Sequence, residues 1–216
     1  MIEIIPSILT NNPKDLRELL GRCEGVTERV QIDVVDGIFV ENRSVDLGVF
    51  SGIETDLNLD FHLMVKEPIN WVERCIQAGA DRIIGQIEMM QNQVDFVGKI
   101  QEVGASVGLA LDLDSPVTDL DSTILNSLDV VLIMSVKAGF GGQEFDKKAL
   151  KKIKDLDDIR ARDDTPFKIQ DDGGITLQSV YNVHRLGVEE VSIGRKLFEG
   201  DLGENLKKFQ KAAHEL

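Results

Sequence analysis

The sequence predicts a closed parallel (β/α)8 barrel over residues 1–216, as a single domain. Three observations predict it. Eight short runs rich in Val, Ile and Leu alternate with longer amphipathic segments from end to end, and the unusual polar residues fall at or just past the ends of the short runs. A doubly wound open sheet built from the same elements is the competing architecture.

The first strand is "EIIPSIL" (3–9), with Ser7 near its end, followed by the amphipathic "NPKDLRELLGRC" that opens on Asn and Pro. "RVQIDVV" (29–35) is the second, and it sets Gln31 and Asp33 among apolar residues, with Asp36 just ahead of a glycine. A buried, unpaired carboxylate is costly, so Asp33 has a charged partner, holds a metal or faces a site. The third strand, "NLDFHLMV" (58–65), carries His62 and leads into "EPINWVERCIQAG". The fourth and fifth are "DRIIGQI" (81–87), with Gln86 near its end and Glu88 just beyond, and "SVGLALD" (106–112). "DVVLIMSV" (129–136) precedes the glycine-bearing "AGFGGQ" and the helical "FDKKALKKIKDLDDIRA"; "PFKIQDD" (166–172) precedes "DDGGI" and "TLQSVYNVHRLG". The eighth, "VEEVSIG" (188–194), runs into Arg195.

Composition narrows the chemistry. With 24 Lys and Arg against 38 Asp and Glu, the formal charge of -14 repels nucleic acid and anionic lipid, so an anionic ligand needs a local cradle. No run approaches the ~18 apolar residues of a membrane span, and "MIEIIPSIL" lacks a basic leader, which predicts a cytoplasmic protein with no membrane partner. Cys23 and Cys75 lie in helical patterns without metal-ligand spacing and read as reduced core thiols.

In such a barrel the chemistry sits at the carboxyl ends of the strands. Asp33, His62 and Asp172 share that position on strands 2, 3 and 7, and two carboxylates with an imidazole suit one divalent ion such as Zn, Fe, Mn or Co. A lone histidine in an apolar run is more often a core residue; its coincidence with two aspartates favours the ligand reading. Glycines follow strands 6, 7 and 8 and let backbone amides approach a phosphate, to which Arg195 adds a cation. Together they suggest proton abstraction beside the carbonyl of a sugar phosphate. Lys137, after strand 6, could instead serve as a Schiff-base nucleophile if burial depressed its pKa. His184, His214 and Trp71 read as structural, and "KKALKKIK" (147–154) as a solvated helix face.

At these residues the sequence resembles the ribulose-phosphate 3-epimerase family, through "PSIL" (6–9), "DVVDGIFVEN" (33–42), "DFHLMVKEP" (60–68), "VGLAL" (107–111), "VLIMSVKAGFGGQEF" (131–145) and "DDGGI" (171–175). The resemblance implies a TIM barrel of the ribulose-phosphate-binding type. It also implies a homo-oligomer and metal-dependent epimerisation between D-ribulose 5-phosphate and D-xylulose 5-phosphate. Carried over, Asp33 and Asp172 are acid and base as well as metal ligands, and His62 is a further ligand. Ser7, Met64, Met134, Gly141, Gly142, Gly173, Gly174 and Gly194 match substrate positions, and Arg195 joins them as the neighbouring cation.

The departures fall in the same place. Gln31 stands where the family has its first metal histidine, as a doubtful fourth ligand offering one neutral oxygen; Val35 replaces a methionine, Gln86 a histidine and Arg195 a small hydroxyl residue. Two readings follow: an active epimerase of a ketose phosphate, pentulose 5-phosphate or hexulose 6-phosphate, or a sugar-phosphate-binding paralogue of altered specificity or without catalysis.

Overall fold

A computed structural model describes residues 2–215. Eight parallel strands close into a barrel in sequence order: β1 (Glu3–Ile8), β2 (Arg29–Val35), β3 (Asn58–Met64), β4 (Ala80–Gln86), β5 (Ser106–Leu111), β6 (Val130–Met134), β7 (Lys168–Asp172) and β8 (Glu190–Ile193). Each lies within two residues of its expected bounds. β8 pairs with β1 from Glu3 against Glu190 to Pro6 against Ile193, which leaves no free sheet edge.

Among the described residues the outer layer holds six α-helices: α1 (Pro13–Cys23), α2 (Val72–Gln77), α3 (Gln93–Glu102), α4 (Lys148–Asp163), α5 (Leu177–His184) and α6 (Leu202–Ala212). The sequence led us to expect a helix in each of eight units, and two connections differ. A single 3-10 turn, Leu47–Gly52, joins β2 to β3, and two short ones, Val117–Asp119 and Leu125–Ser127, join β5 to β6. Gly48 and Gly52 in the first segment and Pro116 in the second interrupt any longer helical run. Among the described residues no helix is long and apolar enough to cross a membrane.

Strand alternation makes two cores. Leu59, Phe61 and Leu63 of β3 face outward into the large cluster under the helices, with Leu16, Phe96, Ile153 and Val180, all fully buried or nearly so. The barrel interior takes the other parity: Val35, Met64, Ile84, Ala110, Val130, Leu132 and Met134. Near the amino ends of the strands lies a network of charges, in which Asp60 pairs with Arg29 and Arg82, and Glu190 pairs with Arg82 (2.8 Å) and Lys168 (2.7 Å). At the carboxyl ends of the strands the polar Gln31, Asp33, His62 and Asp172 share the interior with Val35, Met64 and Met134.

Peripheral residues hold structural roles. The exposed face of α4 carries Lys151–Asp155 and Lys154–Asp158 pairs one turn apart while Ala149, Ile153 and Leu156 pack inward. Arg74 stacks on Trp71 at 4.6 Å, and the rings of His184 and His214 meet edge to face at 4.8 Å. Both cysteines are free and buried, and burial pushes their thiols up to about 12, which leaves them inert at neutral pH.

Candidate active site

Every second residue of a strand faces the barrel axis, so Gln31 and Asp33 on β2, His62 and Met64 on β3, Gln170 and Asp172 on β7, and Ser192 on β8 converge at one mouth. His62 Nδ1 lies 3.2 Å from Asp33 Oδ1 and 3.7 Å from Asp172 Oδ2. One ligand atom from each of these three buried residues falls within 4.8 Å of the others, close enough to share an ion. Two carboxylate oxygens and one imidazole nitrogen suit a borderline divalent cation and leave positions open. The surroundings fit as well. Gln86 Nε2 stands 3.2 Å from His62 Nε2, while Gln86 Oε1 is buried without a partner. Turning that amide end for end gives Oε1 the imidazole N–H and frees Nδ1 for a metal.

Gln31 enters the group with its nitrogen. Nε2 donates to Asp33 Oδ1 at 2.8 Å and to Asp172 Oδ2 at 2.6 Å, and lies 3.5 Å from His62 Nδ1. Its oxygen faces the other way and accepts from Gln170 Nε2 (2.8 Å) and Ser192 Oγ (2.7 Å). The neutral oxygen expected at this ligand position is therefore turned toward β7 and β8.

The two carboxylates disturb each other. Burial and then the Asp33 charge push Asp172 up to about 7, against the pull of His62 and of the Gln31 hydrogen bond. Burial alone would lower His62, yet the hydrogen bond and charge of Asp33, with the charge of Asp172, leave it above its ordinary value. A carboxyl raised in the folded state contributes its full stability below its unfolded pKa and loses it as the pH climbs through the folded value. In chelator-treated protein, Asp172→Asn should therefore gain melting temperature relative to wild type between pH 4 and pH 8, by roughly 10 °C. A difference that stays constant across that range would refute the coupling.

Apolar walls close the site. Val35, Met64 and Met134 are buried, and Phe39 and Val40 from the loop after β2 pack on them. Beside Asp172 opens a cavity of about 100 Å³ bounded by Gly142, Gly173, Gly174, Gly194 and Arg195. Gly174 is at φ +62, and a side chain there would strike the Phe145 backbone, so the position needs glycine. The Arg195 guanidinium lies against the loop after β6, 2.7 Å from where a Cβ on Gly142 would sit and 3.8 Å from one on Gly141. Ser7 borders the cavity through Gly194, whose Cβ would lie 3.3 Å from the serine hydroxyl.

Other polar residues at the mouth tie loops down. Asp36 accepts from the amides of Ile38, Phe39 and Lys66, which hold its carboxyl below the usual range against burial. Glu88 accepts from the Asp112 amide, and Asp112 from those of Leu113 and Ala138. Lys137 has a side chain 70% exposed and reaches Asp114 at 3.6 Å, which makes it a solvated charge and removes the burial that a Schiff-base role needs. Sequence reasoning passed over Gln170, Ser192, Gln143 and Lys196. The first two share the inward parity of Asp172 and Gly194, a signal that was available; the others line the cavity from loops, where parity gives no guide.

Comparison with known proteins adds independent findings. The profile of the ribulose-phosphate 3 epimerase family matches residues 3–198. The chloroplastic ribulose-5-phosphate-3-epimerase of Arabidopsis thaliana is 36% identical over 203 residues, 91% of this chain and 72% of that one. The ribulose-phosphate 3-epimerase of Bacillus subtilis is 32% identical over 204 residues, 92% of this chain and 93% of that one. Among solved structures, 3-keto-L-gulonate-6-phosphate decarboxylase from Vibrio cholerae superimposes with a TM-score of 0.71 over 98% of this chain and 97% of that one, at 11% identity, a likeness of fold.

Proposed function

The chain belongs to the ribulose-phosphate 3-epimerase family, and from that premise we propose that it interconverts D-ribulose 5-phosphate and D-xylulose 5-phosphate by moving the proton at carbon 3. The observation that carries the reading is the juxtaposition of Asp33 and Asp172, on strands separated by β1 and β8, beside a glycine-lined cavity with a cation at its rim.

Inverting one carbon requires a base on one face and an acid on the other. Asp33 and Asp172 reach the axis from different strands, and the elevated Asp172 holds a proton near neutral pH in the metal-free site. One carboxylate removes the C3 proton, and the other returns a proton to the opposite face of the planar enediolate. Val35, Met64 and Met134, buried at the ends of their strands, would keep water from delivering protons at random. The phosphate lies against Gly142, Gly173, Gly174 and Gly194 with Arg195 above, which positions carbon 3. A divalent ion held by Asp33, His62 and Asp172 would supply Lewis-acid stabilisation of the negative charge that develops on substrate oxygen.

The test is a coupled assay for D-xylulose 5-phosphate formation, run in D2O with mass analysis of carbon 3. Turnover with one solvent deuteron incorporated supports the reading. Binding of D-ribulose 5-phosphate, seen as a raised melting temperature, with no exchange would make the chain a non-catalytic binder. In an active enzyme, Arg195→Ala should raise KM about tenfold or more with kcat nearly unchanged, because its charge meets substrate and transition state alike.

A further inference from the structure

The Gln31 amide is wired from both ends. Gln170 Nε2 donates to Gln31 Oε1 and also to Ser192 Oγ at 2.6 Å; the serine hydroxyl hydrogen then goes to Gln31 Oε1. Two donors from β7 and β8 thus fix the carbonyl end, and both amide hydrogens are committed at the other end, one to Asp33 and one to Asp172. The reverse orientation would face the oxygen toward two carboxylates, and it would need the Gln170 amide, whose Oε1 is buried without a partner, to turn as well. Nothing at the nitrogen end can bind a cation, since an amide nitrogen shares its lone pair with the carbonyl.

We propose that Gln31 is a hydrogen-bond bridge that holds the Asp33–Asp172 pair together, with its N–H groups competing against a cation for the same carboxylate oxygens, and not a fourth metal ligand. It is a positioning residue. The metal group then has three protein ligands, and residue 31 keeps the metal-free site folded by giving each carboxylate a donor in place of a charge. Affinity for the ion is correspondingly weakened. This inference rests on the metal-binding part of the proposed function, and its readouts are metal affinity and melting temperature, so the epimerase reading stands or falls separately.

The experiment measures Zn²⁺ dissociation constants by competition with a chelating dye, and melting temperatures with and without chelator, for wild type, Gln31→Met and Gln31→Glu. Methionine removes the bridge without adding a hard ligand. It should bind Zn²⁺ as tightly as wild type or tighter, and melt lower than wild type when metal-free. Glutamate keeps the oxygen that Gln170 and Ser192 bond but puts a third carboxylate oxygen where the NH2 was. It should bind Zn²⁺ about tenfold tighter or more, melt lower than wild type without metal, and recover with it. A folded Gln31→Met that loses Zn²⁺ affinity about tenfold would make Gln31 a ligand and overturn the proposal. If the methionine variant does not fold, the glutamate variant decides: a metal-free melting temperature equal to or above wild type overturns the bridge. Failure of all three proteins to bind Zn²⁺ overturns it too.

Discussion

Asparagine in place of Asp33 or Asp172 should lower kcat for epimerisation by about 10³-fold each, with KM for D-ribulose 5-phosphate changed only a few-fold. The asymmetry follows from the proposed division of the site, in which the carboxylates would meet the reacting carbon while the glycine loops and Arg195, which line the cavity beside Asp172, would hold the phosphate. Asparagine preserves shape and can still receive the Gln31 N–H through its oxygen, so the lost function is proton transfer. Each variant should stop inversion at carbon 3, while the remaining carboxylate can still exchange the C3 proton of the one epimer whose C–H it faces. Steady-state assay with metal content measured on the same samples separates loss of proton transfer from loss of the ion. If either variant fell less than tenfold at equal metal occupancy, the two-aspartate mechanism would be wrong.

The second large effect is at the other end of the barrel. Asp60 (0% exposed), Glu190 (1%) and Arg82 (4%) form a buried charge network in which Arg82 touches both acids. Replacing Arg82 by methionine leaves Asp60 with Arg29 and Glu190 with Lys168, partners that lie nearer the solvent. Removing one member of a buried pair costs roughly 3–5 kcal/mol, because the remaining charge keeps its desolvation penalty. For a chain of this size that is a fall in melting temperature of roughly 10 °C. Urea unfolding at pH 7 measures it, and a loss under about 1 kcal/mol would show that water or the neighbouring cations take over. Asp60 lies beside Gln31 and Glu190 beside Gln170 in the strand register, so catalytic constants are measured on the folded fraction to separate lost stability from a shifted site.

The eight strands were legible because short runs bearing Val, Ile and Leu recur between amphipathic segments, and the period of two assigns each polar residue among them to the axis or the helices. Asp33, His62 and Asp172 are therefore visible as one group in the sequence, through their shared place toward strand ends. The two connections built from 3-10 turns were not, since their few apolar residues carry no helical period.

What the sequence by itself determined is the barrel, the mouth at which its polar residues gather and the family to which its motifs belong. Tertiary structure alone decided which end of Gln31 faces the carboxylates, because the groups that hold its oxygen, Gln170 and Ser192, lie 139 and 161 residues away along the chain. It likewise decided that Arg82 joins two buried acids from β3 and β8. An amide has a donor end and an acceptor end of nearly the same shape, so the choice between them belongs to the partners that ring closure brings into reach, and no local pattern records it.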